Sequence, residues 1–237
     1  HNSILENNLF AFRPAANFIE EEVSQRIYQS SLRKCTPSFL QEVDAAKQHF
    51  PLLWITIRNY KRRWLSQVEG TANIIKTLYA EFPHLAVVFD GWSLTERNMG
   101  NYEPIIAVEQ YCLEQILALL PATIKTYSTI GRPIYETVVW AEAIDLYVAP
   151  FGTGMTFVTW IANKPGVAHG NKPYYAAVKQ SFSSLCRENI TEPVLIALND
   201  IIEDESNPDP FTRSYDCDWR IICNELLKIL NERKWDK

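Results

Sequence analysis

Between Leu52 and His169 the chain alternates short, continuous apolar runs with longer amphipathic stretches. The runs LLWITIR (52–58), LAVVFDG (85–91), TIKTYST (123–129), LYVAP (146–150) and GVAH (166–169) are rich in β-branched and aromatic residues, as buried strands are. Between them lie helical patterns: 67–82, ended by Pro83; a stretch opened by Pro104 and stopped before Pro121; PIYETVVWAEA; and a helix from the Phe-Gly-Thr-Gly turn to about Asn163. Strand followed by helix, repeated, predicts a doubly wound, mainly parallel α/β sheet of Rossmann-like type.

The flanks read differently. Residues 1–50 predict a helical extension, with ANFIEEEVSQRIYQSSLRK acidic early and basic late, as the helix dipole prefers. Residues 173–237 predict a helical segment packed on the core, broken by the acidic loop IEDESNPDP and closed by DWRIICNELLKILNERK. The nucleotide-binding core is expected over 51–172.

Composition narrows the function. The 237 residues are 47% hydrophobic and 22% charged, which is the balance of a folded domain with a sizeable core. A net charge of -5 supplies no electrostatic footprint for nucleic acid. The five cysteines, Cys35, Cys112, Cys186, Cys217 and Cys223, are widely spaced, read as free thiols, and offer no zinc motif. No eighteen-residue apolar run suggests a transmembrane segment, and the start lacks the pattern of a signal peptide, so the expected location is cytoplasmic. The abrupt start also fits a piece of a larger polypeptide.

In open α/β sheets ligands bind beyond the carboxyl ends of the strands, so candidate chemistry is sought there. Arg58 closes the first strand, followed by Lys61, Arg62 and Arg63; the alternative for such a run is a solvated face. Asp90, Gly91, Trp92 and Ser93 follow the second strand as a turn or binding loop. Ser128, Gly131 and Arg132 follow the third, where they could bound a nucleoside. Glu136 is either a ribose ligand or a first-turn dipole partner. Gly152, Thr153 and Gly154 form either an anion-binding turn that offers backbone N–H groups or an ordinary strand-to-helix turn. His169 ends the fifth strand, in a structural or a catalytic role.

Together these motifs, ITIRNYKRRWLSQVEG with Arg58, Arg63, Gln67 and Glu69 and the turn APFGTGMTF, resemble the carboxyl-terminal, donor-binding domain of GT-B glycosyltransferases. The likeness is to the inverting family that includes plant xylosyltransferases, extracellular O-GlcNAc transferase and many bacterial polysaccharide-biosynthesis proteins, and it covers roughly residues 52–170. This chain has Phe151 where that family commonly has histidine, and Thr153 in the middle of the turn. The resemblance implies a nucleoside diphosphate sugar as donor and a carbohydrate as acceptor. It implies metal-independent neutralisation of the diphosphate, with Arg58 and Arg63 stabilising the departing charge. It also implies that the acceptor is held by a further domain. The alternatives are a non-catalytic interaction module on the same fold, within a larger polysaccharide-assembly protein, and a nucleotide-sugar epimerase of related architecture.

Overall fold

The computed structural model describes residues 20–95, 101–176, 189–233 and 235. Six parallel strands form one sheet: β1 (Leu52–Thr56), β2 (Ala86–Asp90), β3 (Lys125–Ser128), β4 (Leu146–Pro150), β5 (Gly166–His169) and β6 (Val194–Leu195). Their order is β3-β2-β1-β4-β5-β6, the doubly wound arrangement in which the chain reverses direction across the sheet between β1 and β4. The sixth strand is only two residues long and opens the apolar run VLIAL (194–198), which the sequence reading placed in a helical segment.

Alternation along β1 divides the core into two layers. Leu53 and Ile55, with Val87 and Phe89 of β2, face α3 (Gln67–Glu81), α4 (Glu103–Ala118) and α6 (Trp219–Glu232), where Ile75, Leu78, Ile116 and Leu226 are buried. Leu52 and Trp54, with Ala86 and Val88, face the other way, onto α2 (Pro37–Ala46) and α5 (Ile134–Ala143) through Phe39, Val43 and Trp140. The helix α1 (Glu21–Leu32) covers this second layer, Ser24 Oγ donating to the Trp160 carbonyl at 2.9 Å. Thr36 caps α2 by accepting from Phe39 N, and Asp218 caps α6 by accepting from Arg220 N.

Two elements differ from the sequence reading. After the glycine turn the backbone forms a 3₁₀ turn, Thr153–Met155, and then a π-helical turn, Phe157–Ile161, in place of a regular α-helix. The Thr159 hydroxyl donates to the Met155 carbonyl at 2.7 Å, and Asn163 ends the segment with φ 52. In the carboxyl-terminal segment β7 (Ile201–Glu203) and β8 (Tyr215–Cys217) form an antiparallel hairpin that carries the acidic loop at its tip. Leu65 N donates to Tyr215 O at 2.8 Å, so the hairpin is fastened to the segment that follows β1.

Cys112, Cys217 and Cys223 are buried free thiols and Cys35 is a partly exposed one, while Cys186 lies outside the described residues. Among the described residues no helix is long and apolar enough to cross a membrane.

Candidate functional site

The point where strand order reverses opens a crevice between the carboxyl ends of β1 and β4, and Arg58 fills it. The Arg58 backbone N–H donates to Gln67 Oε1 at 3.0 Å, which fixes the start of the loop against α3. From there Nη1 reaches across to donate to the Phe151 carbonyl at 3.3 Å. The guanidinium thus lies against Gly152, where a β-carbon would stand 2.9 Å from Nη2. Glycine is favoured there by its φ of 158 and by the close approach of Arg58, whereas the sequence reading expected a ligand to approach this turn.

Arg62 is the second cation of the crevice. It takes the left-handed conformation, φ 52, and its guanidinium carbon lies 3.7 Å from the centre of the Tyr174 ring. Its Nε is buried without a hydrogen-bond partner. Burial, with Arg62 next to it, pulls the Arg58 guanidinium below its usual range. Among the described residues neither arginine has a carboxylate within ion-pair distance. Arg63, which the sequence motif pairs with Arg58, points elsewhere: it is exposed and lines a cleft between α3 and α4.

Aromatic rings wall the crevice. Phe151 packs on Tyr174 and Tyr175 with ring centroids 6.4 and 5.5 Å away. His169 is 3% exposed, shares a 2.8 Å hydrogen bond between Nδ1 and the Tyr215 hydroxyl, and lies edge-on to Trp64. Burial, helped by the Arg58 charge, pushes its pKa down to about 3. It is a neutral, sealed imidazole, which joins the hairpin to the sheet and offers no proton acceptor at the surface.

A second set of polar groups crosses the same edge. Thr56 Oγ1 donates to Asp90 Oδ2 at 3.1 Å and Thr129 Oγ1 donates to Asp90 Oδ1 at 2.8 Å, linking the ends of β1, β2 and β3. Asp90 is turned into the protein, and burial raises its pKa to about 7 against the opposing pull of those bonds. Glu109, on α4, accepts from Trp92 N at 2.6 Å; burial first, then the neighbouring Asp90, raises it also to about 7. Trp92 packs on Tyr102, centroids 5.0 Å apart.

The loop after β3 closes this side. Ser128 Oγ accepts from Ile130 N at 3.2 Å, and Gly131, with φ 72, donates to Trp92 O at 2.8 Å. Arg132 Nε lies 3.4 Å from Glu136 Oε2, so these two residues answer each other, and Glu42 also faces the Glu136 carboxylate. Thr153 is exposed, and a β-carbon at Gly154 would meet no atom within 4 Å, so this part of the turn is open.

The structure therefore brings together Arg58, Gly152 and Asp90 at the edge, adds Arg62, and sets the Ser128–Arg132 loop three strand spacings from Gly152, about 14 Å. Arg62, Tyr174, Tyr215 and Glu109 escaped the sequence reading as site residues. Only Arg62 left a trace there, as one cation of a run. Tyr215 arrives from a hairpin 46 residues after His169, and nothing local announces that contact.

No protein-family model matches the chain, and no curated protein matches it in sequence. Among solved structures it is similar to α,α-trehalose 6-phosphate synthase from Burkholderia multivorans, at 10% identity and TM-score 0.48, covering 89% of this chain and 41% of that one. It is similar to the N-terminal domain of trehalose-6-phosphate phosphatase from Candida albicans, at 12% identity and TM-score 0.47, covering 87% and 40%. It is also similar to a glycosyl transferase family 9 protein from Veillonella parvula, at 12% identity and TM-score 0.40, covering 76% and 41%. The chain spans about two fifths of the length of these three structures.

Proposed function

We propose that the crevice holds the diphosphate of a nucleoside diphosphate sugar, and that the chain is the donor-binding part of a glycosyltransferase acting on a carbohydrate acceptor. The observation that carries this reading is the pair Arg58 and Arg62 at the sheet's reversal point, two guanidinium groups with no carboxylate within ion-pair distance among the described residues. Two adjacent cations with no carboxylate in contact, and with Asp90 and Glu109 only at longer range from Arg58, are stabilised by an anion, and a guanidinium fork matches phosphate oxygens. With the diphosphate there, the open turn at Thr153 and Gly154 supplies backbone N–H groups. The nucleoside then extends past Asp90 towards Ser128, Gly131 and Arg132, over the length of the strand ends. As the bond from the anomeric carbon to the diphosphate oxygen breaks, charge grows on that oxygen, and the two arginines stabilise it.

A second reading has its own observation. His169 is sealed by burial and by Tyr215, so the one histidine at this edge among the described residues is removed from proton transfer. A chain that binds a sugar nucleotide and leaves the acceptor's proton to another polypeptide segment, or that binds without catalysing, fits that feature.

Calorimetric titration with UDP, GDP, ADP and CMP, with magnesium and then with EDTA, tests the reading. Binding of a nucleoside diphosphate that survives EDTA and is lost in both Arg58→Glu and Arg62→Ala, each folded by circular dichroism, supports it. If none of the four nucleotides binds, the sugar-nucleotide reading fails.

A further inference from the structure

The Arg58 crevice has a neighbour that the nucleotide reading leaves unused. Between α3 and α4 lies a cleft of about 460 Å³, into which Arg63 points, and an apolar notch of about 250 Å³ beside Tyr60 and Val108 continues it. Gln67 is the wall between cleft and crevice: its Oε1 accepts from Arg58 N at 3.0 Å, and its Nε2 lies 3.4 Å from Asn59 Oδ1 and 3.3 Å from Cys112 Sγ.

The lining is particular. Asn59, Gln115, Arg63 and Glu69 present planar amide, guanidinium and carboxylate groups, each able to bond two oxygens side by side. Asn59 Nδ2 is buried on the Cys112 side of the cleft. Tyr111 is 62% exposed at the cleft and Tyr60 68% exposed at the notch, so both rings offer flat faces to solvent. Planar polar groups around exposed tyrosines suit a molecule with vicinal hydroxyls along its edge and C–H groups on its face. Cleft residues Arg63 and Glu69 balance in charge, which favours a neutral ligand over a nucleic acid or an anionic headgroup.

We propose that this cleft is a carbohydrate seat that takes a neutral oligosaccharide beside the nucleotide crevice. The inference rests on the reading of the crevice as a sugar-nucleotide site, because the shared Gln67 wall sets the two ligands next to each other.

Saturation-transfer NMR on the full chain with maltotetraose, cellotetraose and chitotetraose, each at millimolar concentration, tests it. At least one of the three receives transfer from the protein, and Tyr111→Ala and Gln115→Ala each weaken that binding at least about fivefold, a loss near 1 kcal/mol. Both positions are exposed, so the melting temperature and the nucleotide titration are expected to stay at wild-type values. No transfer to any of the three sugars overturns the proposal, as does binding undiminished by Tyr111→Ala. Concentration-dependent self-association that Tyr111→Ala abolishes, with no saccharide effect, reassigns the patch to protein contact and also overturns it. Tyr111-dependent saccharide binding in a chain that takes no nucleotide supports the cleft and defeats the crevice reading alone.

Discussion

The Arg58 guanidinium and the backbone of Gly152 are in contact across the reversal point of the sheet, close enough that a β-carbon at 152 would stand 2.9 Å from Nη2. Position 152 therefore sets where the cation sits, and Arg58 in turn holds the Phe151 carbonyl. The obstructing atom is the far end of a flexible side chain, so Gly152→Ala displaces the guanidinium before it disturbs the sheet. The expected outcome is a fall of about tenfold in nucleoside diphosphate affinity, equivalent to about 1.4 kcal/mol, together with a lowered melting temperature, because the φ of 158 at this position strains any residue but glycine by about 1–3 kcal/mol. Gly154→Ala, whose β-carbon meets nothing within 4 Å, is expected to keep wild-type affinity. Equal calorimetric affinities for wild type and Gly152→Ala would remove the contact from the site.

Asp90 and Glu109 carry a pH dependence of known sign. Both pKa values are raised to about 7, Asp90 by burial and Glu109 by burial and then Asp90, while Thr129, Thr56, the Trp92 N–H and the Arg58 charge pull the other way. Between the ordinary carboxylate range near pH 4 and the raised values near 7, the folded chain binds more protons than the unfolded one. Their contribution to stability is complete below about pH 4 and is lost as pH rises through about 7. Asp90→Asn keeps a carbonyl oxygen to accept from Thr129 and removes one charge, which also eases Glu109. Its stability relative to wild type is expected to improve steadily from about pH 4 to about pH 7 and then to level off. Urea unfolding across that range measures the difference; parallel curves for the two proteins would show that the carboxylates do not titrate in this window.

The strands of this sheet were legible because LLWIT, AVVFD and LYVAP are continuous apolar runs bounded by turn residues, and both faces of a parallel sheet are buried. The segment after the glycine turn was misread because TFVTWI has helical spacing, yet the Thr159 hydroxyl takes the Met155 carbonyl and the turn widens to π geometry. Arg62 and Arg63 could not be told apart by position in a run of cations; the left-handed backbone at Arg62 turns one towards the crevice and the other towards the α3–α4 cleft. The β7–β8 hairpin left little signal, since strands of three residues carry too short an alternation to stand out beside an acidic loop.

Tyr215 ties that hairpin to β5 through its hydroxyl, 2.8 Å from His169 Nδ1. Both residues are buried, so Tyr215→Phe strands an imidazole nitrogen without water or protein to meet it. The expected loss is about 1–3 kcal/mol of unfolding free energy, read from urea curves at pH 7.5. His169 adds its own pH dependence: with its pKa pushed down to about 3, its contribution is complete above the ordinary histidine value of 6.5 and is lost as pH falls through about 3. An unchanged Tyr215→Phe midpoint would mean that the hydrogen bond does not hold the hairpin.

Gly166 faces Tyr147 in the parallel register of β4 and β5, and a β-carbon there would collide with the Tyr147 carbonyl oxygen and ring. Neither obstacle yields easily. The carbonyl belongs to the backbone of a central strand, Tyr147 is fully buried, and its N–H is held by Pro165 O at 3.1 Å. Relief has to come from parting β4 and β5, which also carries the glycine turn and the Phe151 carbonyl away from Arg58. Gly166→Ala is therefore expected to lose about 2–3 kcal/mol of stability, the scale of an overpacked core, and to weaken nucleotide binding although residue 166 is at the opposite end of its strand from the crevice. Thermal unfolding and nucleotide titration on the same sample check both effects; a variant as stable as wild type would show that the two strands part there at little cost.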